Sequence, residues 1–290
     1  MRKIAIVFTC FNRKSKTEQC LNLINEQLYR LSHRVTARIF CCDDGSTDGT
    51  YEMLKSKYNN ITVIRGTGNL FWAKGMAEAM EVAERSVPDF YLMINDDVIF
   101  FRDAIEIMLD SFESVNDPMS AIVGSTKDIS SGERTYGGIH WNRKAFGEMQ
   151  IPVYPAKPCL KCEQTNWNCF LLPGELYKKI GHIDDHYEHT MADYDYSNRI
   201  FEAGYSIYVA EDYIGYCSRN SVKGTWIDTS LSLKNRIKAL HRPNGIPPKS
   251  NWYYCRKFYG WGRLHRFFSP YRYIFMSALK EVFSSKKKVI

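Results

Sequence analysis

Two apolar runs that each stop abruptly at acids constrain the fold of this chain more than any other feature. TARIFCC, residues 36–42, runs into Asp43-Asp44, and FYLMI, residues 90–94, runs into Asn95-Asp96-Asp97. Their β-branched and aromatic content predicts parallel strands buried on both faces, with the acids gathered at the strand ends. In an open α/β sheet the ligand crevice lies beyond the carboxyl ends of the strands, where clustered carboxylates suit a metal, a ribose or a phosphate-bearing substrate. A third acidic cluster, ADYD at residues 192–195, opens a helical pattern late in the chain.

Strand-like segments at 4–9, 34–42, 61–65 and 90–94 alternate with helical patterns at 16–31, 51–57 and 71–85. That alternation predicts βαβ units and a mainly parallel central sheet flanked by helices. Asp48 is the expected N-cap of the second helix. A helix over 104–114 follows, then Gly-rich strands and hairpins over 120–158, a strand at 167–173 and a short helix at 175–180 closed by Gly181. A helix over 192–203 ends at Gly204, and a strand at 205–210 comes next. Beyond residue 229, helical segments interrupted by Pro243, Pro247, Pro248 and Pro270 replace the sheet pattern. The expected organisation is therefore a sheet domain over 1–228 and a helical C-terminal extension over 229–290.

With 290 residues, 44% of them hydrophobic, the chain can bury a large core. Its net charge of +7 is concentrated in residues 234–288, a basic end that suits an anionic surface. Met1-Arg2-Lys3 leads straight into the first strand rather than into a signal peptide, so the nine cysteines are expected to be reduced thiols in the cytoplasm. Cys159 and Cys162 have zinc-ligand spacing with Cys169 nearby, but no second such pair follows, and packing or loop cysteines are the favoured reading. No apolar run reaches the roughly 18–20 residues that span a bilayer. The chain contains neither GxGxxG nor GxxxxGK[ST], which disfavours a dinucleotide-binding fold or a P-loop enzyme.

Adjacent strand-end carboxylates such as Asp96 and Asp97 can hold Mn²⁺ or Mg²⁺ and share it with a diphosphate, although an Asp-rich turn alone is the alternative. Asp43 and Asp44 could accept hydrogen bonds from a pyrimidine N3 or a ribose hydroxyl, with Thr9 at the neighbouring strand edge. The loop from Gly66 brings Phe71, Trp72 and Lys74 to a helix start, where the helix N-terminus and Lys74 could meet a phosphate. Asp193 lies near a helix start whose dipole should keep it ionised, which suits a general base as well as a simple cap.

Read in order, these pieces resemble the family 2 glycosyltransferases, inverting enzymes with the GT-A fold, among them rhamnosyltransferase-like and polysaccharide-synthesis members. The resemblance rests on IVFTCFNR (6–13), DDGSTDGT (43–50), the loop and helix start from Gly68-Asn69 to Met76, Asn95-Asp96-Asp97, and ADYDYSNRIFEAGY (192–205), and it covers about residues 3 to 215. It implies a nucleoside-diphosphate-sugar donor bound by Thr9, Phe11, Asp43, Asp44, Asn69, Lys74 and Asp96. It further implies Mn²⁺ or Mg²⁺ on Asp97 with Asp96, Asp193 as catalytic base, and an acceptor side formed by Trp167, Asn168 and Asp195. Trp167 is expected either to stack on a sugar face or to be a core tryptophan. The chain departs from the pattern at Asn95, at Ala192 where many relatives carry Glu, and at 213–217, where YIGYC stands in the region of a frequent His. His182, His186 and His189 lie near enough in sequence to be weighed as substitute ligands.

The stretch 253–283 interleaves aromatic residues with Arg and Lys, as a peripheral membrane helix does. The expected partners are thus a nucleotide sugar, a glycan or lipid-linked acceptor and the inner face of the cell membrane. Packing of the tail aromatics on the sheet domain, or on a second copy in a homodimer, is the alternative. Two rival functions stay open at this point: a nucleotidyltransferase, and an inactive nucleotide- or nucleic-acid-binding module. The acidic strand ends argue against a nucleic acid partner.

Overall fold

The alternating segments of the N-terminal half fold into β1 (Arg2–Cys10), α1 (Lys14–Arg30), β2 (Val35–Asp43), α2 (Thr50–Lys57), β3 (Ile61–Arg65), α3 (Phe71–Glu84) and β4 (Phe90–Ile94) in a computed structural model. The structure describes residues 1–142 and 149–287, so the last residues of the expected extension, 288–290, lie outside the described residues. Strands β3-β2-β1-β4 are parallel neighbours. The period-two geometry of a strand explains the continuous apolar runs: in β4, Tyr91 and Met93 enter the core cluster on one face, while Phe90, Leu92 and Ile94 enter the cluster on the other. Asp48 serves two helix starts, accepting from Thr50 N–H at 3.0 Å and from Lys14 N–H at 3.0 Å. Gly75 lets α3 lie directly on β1, because a Cβ there would collide with Thr9 Oγ1.

The second half adds β5 (Ile99–Phe100), α4 (Ala104–Val115), β6 (Ala121–Lys127), β7 (Gly138–Asn142), β8 (Met149–Pro152), β9 (Lys161–Cys162), β10 (Gln164–Thr165), β11 (Cys169–Pro173), α5 (Gly174–Ile180), α6 (Ala192–Glu202) and β12 (Ile207–Tyr216). The sheet order is β3-β2-β1-β4-β11-β6-β12-β5, with β9 on β12, while β10-β7-β8 form a smaller sheet. Parallel pairing continues between β6 and β12, but β11 is inserted antiparallel to both β4 and β6. Because β11 begins where β4 ends, with Cys169 opposite Ile94, the 166–168 loop faces Asn95-Asp96-Asp97. Asn95 N–H donates to the Asn168 carbonyl at 3.2 Å across that junction.

The C-terminal helices are α7 (Leu233–Leu240), α8 (Pro248–Phe258) and α9 (Arg263–Lys287). Tyr254 and Phe258 of α8 belong to the core cluster on the α3 face of the sheet. The Tyr254 hydroxyl accepts from Gln164 Nε2 and from Asn198 Nδ2, both at 3.0 Å, which ties α8 to β10 and α6. Part of the tail aromatics therefore packs on the sheet domain. Helix α9 instead leaves Leu264, Phe268, Phe275 and Leu279 exposed. Among the cysteines weighed as zinc ligands, Cys162 is buried in β9 and Cys169 in β11, whereas Cys159 lies beside Ser111 and Ser114. No group of three metal-ligating side chains occurs among the described residues.

Candidate functional site

The carboxyl ends of β1, β2 and β4, the entry to β11 and the start of α6 open onto one cleft of about 670 Å³. Thr9, Phe11, Asp44, Asp96, Asp97, Trp167, Asn168 and Asp193 all line it. Asp43, Asn69, Lys74 and Asp195 do not, and each has a physical reason.

Asp43 is the last residue of β2 and Asp44 begins the turn beyond it, and their carboxylates are drawn to different partners. The Asp43 carboxylate is fully buried, ion-paired with Arg65 and accepting from Ser46 N–H at 3.0 Å. Asp44 turns the other way and accepts from the backbone N–H groups of Gly68 at 2.8 Å, Leu70 at 2.9 Å and Phe71 at 2.9 Å. It thereby shapes the loop before α3, on which Asn69 stays exposed and Lys74 is carried away from the cleft wall. The remaining first-turn donors of α3 are also used, with Trp72 N–H on His189 Nδ1 at 3.3 Å and Ala73 N–H on the Glu188 carbonyl at 3.0 Å. The expected phosphate site at this helix N-terminus is therefore closed, because protein acceptors satisfy the donors a phosphate would need.

At the end of β4 the triplet divides its work. Asn95 Oδ1 accepts from the Trp72 indole N–H at 2.9 Å, holding the tryptophan against the cleft. Asp96 is buried and accepts from Thr17 Oγ1 at 2.7 Å, while Asp97 is the more accessible acid. Arg13 reaches both, at 3.2 Å to Asp96 and 3.0 Å to Asp97. Burial pushes the Asp96 carboxyl up from its ordinary value, and Asp97 adds to that, against the opposing pull of Arg13 and Thr17. Two carboxylates do not make a closed metal cage, but Mg²⁺ or Mn²⁺ is commonly held by one or two acids plus substrate phosphates. Asp97, with Asp96 behind it, fits that open kind of site. Cys217 occupies the neighbourhood in which a His was sought, its Sγ 3.8 Å from Asp97 Oδ1. Burial, then Asp97, pushes this thiol up to about 12, so it remains protonated and is a poor ligand for a hard cation. Of the three histidines, His182 bonds Tyr177, His186 stacks on Tyr253, and His189 lines the cleft.

Asp193 stands in the first turn of α6, preceded by Met191 at φ 74°. Burial pushes its carboxyl up to about 6, against hydrogen bonds from Tyr194 N–H and the Asn166 side chain that favour the ionised form. Withdrawal from water thus makes this acid more basic than an ordinary carboxyl while leaving it ionised at neutral pH. Asp195 points into the protein interior, accepting from Lys257 Nζ at 2.7 Å, Arg199 Nε at 2.9 Å and Tyr187 OH at 3.0 Å. It joins α6 to α8 and has no acceptor-side position. Trp167 is 1% exposed and stacked on Phe170 at 5.2 Å, with Trp72 and Tyr196 against its edges. Its rings are packed in the core at the border of the cleft. Asn168 lies beside Cys217 and donates to its sulfur at 3.3 Å.

Sequence reasoning missed Arg13 as the partner of the strand-end acids, although Arg13 closes the first motif. It also missed Trp226, Gly245, Ile246 and Arg266, which build the far wall from the C-terminal region. No motif marks them, and tertiary contacts bring that region in, among them Thr190 Oγ1 donating to the Gly245 carbonyl and Ser250 Oγ to the His186 carbonyl, both at 2.9 Å.

The sequence model of the family described as glycosyl transferase family 2 matches residues 5–167. An N-acetylglucosaminyl-diphospho-decaprenol L-rhamnosyltransferase of Mycobacterium tuberculosis is 25% identical over 201 residues, covering 59% of this chain and 63% of its own. The chain thus spans somewhat less than two thirds of that relative's length. Among solved structures, S. aureus TarS 1-349 in complex with UDP-GlcNAc superposes with a TM-score of 0.55 at 14% identity, over 93% of this chain and 73% of that one. The mannosyltransferase PcManGT from Pyrobaculum calidifontis, in complex with GDP-Man and Mn²⁺, gives 0.51 at 15% identity, over 88% and 64%. At such identities the likeness shows the fold, an α/β architecture of the GT-A type.

Proposed function

Since the chain belongs to glycosyl transferase family 2, we propose that it moves a sugar, with inversion, from a nucleoside-diphosphate sugar to a hydroxyl of a glycan or lipid-linked acceptor. Cell-surface polysaccharide or glycolipid synthesis is the proposed setting, in line with the name of the mycobacterial relative. The observation that carries this reading is the convergence of Asp193, at the start of α6, with the strand-end acids Asp96 and Asp97 on one cleft.

Asp193 takes the proton of the acceptor hydroxyl as its oxygen attacks the anomeric carbon, and the nucleoside diphosphate departs from the opposite face. A pKa near 6 leaves the acid ionised at neutral pH yet basic enough to draw a proton in the transition state. Asn166 and Tyr194 N–H orient the carboxylate. Arg13 meets the diphosphate end of the cleft, where its positive charge favours the leaving group. A Mn²⁺ or Mg²⁺ ion held by Asp97 and Asp96 would supply further neutralisation of that leaving charge. A Mn²⁺-bearing mannosyltransferase and a UDP-GlcNAc-bearing enzyme among the structural neighbours support both ligand classes.

UDP- or dTDP-linked sugars at about 100 times their Kd are expected to raise the Tm by roughly 5 °C in the presence of Mn²⁺ or Mg²⁺, and not in its absence. Asp97→Asn should remove the metal-dependent part of the shift. Failure of every nucleotide sugar to shift the wild-type Tm would refute the transferase reading.

We further infer that residues 1–228 form the catalytic unit and that 229–290 completes its cleft and meets the membrane. No helix among the described residues is long and apolar enough to cross a membrane. Leu264, Phe268, Phe275 and Leu279 lie on one exposed side of α9, Trp261 just before it is fully exposed, and residues 261–280 carry Arg263, Arg266, Arg272 and Lys280 with no acid. Such a face suits shallow insertion into an anionic leaflet, here the cytoplasmic one. Phe268→Glu with Phe275→Glu should abolish flotation with vesicles containing phosphatidylserine at an unchanged Tm. Wild-type protein that fails to float, or a wild-type dimer that the same pair of substitutions dissociates, would assign the face to a homodimer instead.

A further inference from the structure

The first turn of α3 exposes backbone N–H groups that must find acceptors. Asp44 takes Phe71, the Glu188 carbonyl takes Ala73, and the Trp72 N–H between them goes to His189 Nδ1 at 3.3 Å. An imidazole nitrogen that accepts carries no proton, so the ring hydrogen resides on Nε2. The chain on either side of the ring is pinned, by the Glu188 carbonyl on α3 and by Thr190 Oγ1 on the Gly245 carbonyl at 2.9 Å. His189 lines the cleft between α3, which Asp44 caps, and α6, whose first turn carries Asp193, and Nε2 has no protein partner among the described residues.

We propose that His189 is a donor-substrate contact: its Nε2–H, aimed by the cap that Nδ1 makes on α3, hydrogen-bonds an oxygen of the bound nucleotide sugar. This inference rests on the nucleotide-sugar reading of the cleft. Burial and then the nearby Arg13 both lower the pKa of the ring, which agrees with a neutral imidazole at neutral pH. A neutral N–H suits this position, because Arg13 already brings positive charge to the diphosphate end, whereas an uncharged donor can select a hydroxyl or phosphate oxygen by geometry alone. The role differs from metal ligation, since a ring with Nδ1 engaged and Nε2 protonated presents no lone pair to a cation.

The two amide side chains separate this role from a merely structural cap. Asn places its oxygen close to where Nδ1 stands and Gln places its amide close to Nε2, so His189→Asn keeps the cap without the cleft donor and His189→Gln keeps the donor without the cap. Calorimetric titration with UDP-sugar and with UDP alone, alongside Tm, reads both functions. His189→Asn is expected to retain its Tm and to bind UDP-sugar about three- to tenfold more weakly, while His189→Gln binds within about twofold of wild type at a lowered Tm. Weakening of UDP as well as UDP-sugar would place the contact on the diphosphate, and weakening of UDP-sugar alone on the transferred sugar. Wild-type affinity in His189→Asn, with only the Tm responding to either substitution, would overturn the proposal. A wild-type protein that binds no nucleotide sugar would instead bring down the reading of the cleft, and this inference with it.

Discussion

Asp193→Asn is expected to slow sugar transfer by a factor of about 10²–10⁴, the usual worth of a positioned general base, while donor affinity by calorimetry stays within about twofold. In the wild type, the rate should fall tenfold per pH unit below about 6, where the carboxyl takes up its proton. The variant should lose that acid limb. Stability moves the opposite way. A carboxyl whose folded pKa lies above its ordinary value favours the folded state when protonated, and that contribution is lost as pH rises from about 4 to about 6. At pH 7 the wild type carries the full penalty, so the neutral amide should stabilise the fold by on the order of 1–3 kcal/mol, the smaller figures reflecting water that reaches the carboxylate from the cleft. A variant that transfers at the wild-type rate while binding donor would remove Asp193 from the role of base.

Asp195→Ala is expected to destabilise the protein by roughly 3–5 kcal/mol, because it strands the charges of Lys257 and Arg199 and the hydroxyl of the buried Tyr187. The lower end of that range is favoured. Lys257 still reaches Asp184 at 3.3 Å, and Arg199 keeps the Ile180 and His182 carbonyls at 2.8 and 2.7 Å. Urea denaturation should show a reduced midpoint with an unchanged slope. Had Asp195 served the acceptor, the substitution would raise the acceptor KM at constant stability, and that outcome would refute its role as the link between α6 and α8.

These two acids, separated by one residue, show where sequence reading succeeds and where it stops. Helical geometry alone turns residues two apart by about 200°, so Asp193 and Asp195 could not both face one cleft. That constraint is legible in the sequence alone. Asp43 and Asp44, at the end of β2 and in the turn after it, divide in a similar way, one to Arg65 and the other to the loop before α3. Which member of each pair lines the cleft is set by tertiary placement, by the turn after β2 for one and by the seating of α6 for the other, at element ends where pattern is least informative. The order of βαβ units is legible because β4 is apolar throughout, β1 and β2 carry apolar runs at 4–8 and 39–42, and their neighbours carry helical periodicity. The antiparallel insertion of β11 is not, since its apolar run pairs equally well in either direction. The occupied N-terminus of α3 was hidden for another reason: its acceptors, Glu188 and His189, lie more than a hundred residues away in sequence. Trp167 is ambiguous in sequence because its stacking on Phe170 depends on the fold.

The seating of Tyr254 between Gln164 and Asn198 has a temporal consequence. Chains emerge from the ribosome N-terminus first, at roughly 5–20 residues per second. The acids of the cleft are all translated by Asp193, yet the hydrophobic cluster beneath α6 stays unfinished until Tyr254 and Phe258 leave the exit tunnel. For several seconds a nascent chain would carry every polar group of the reaction centre on a partly uncovered core, exposed to chaperones and to sticking. Catalytic competence should therefore appear late and abruptly, with the docking of α8.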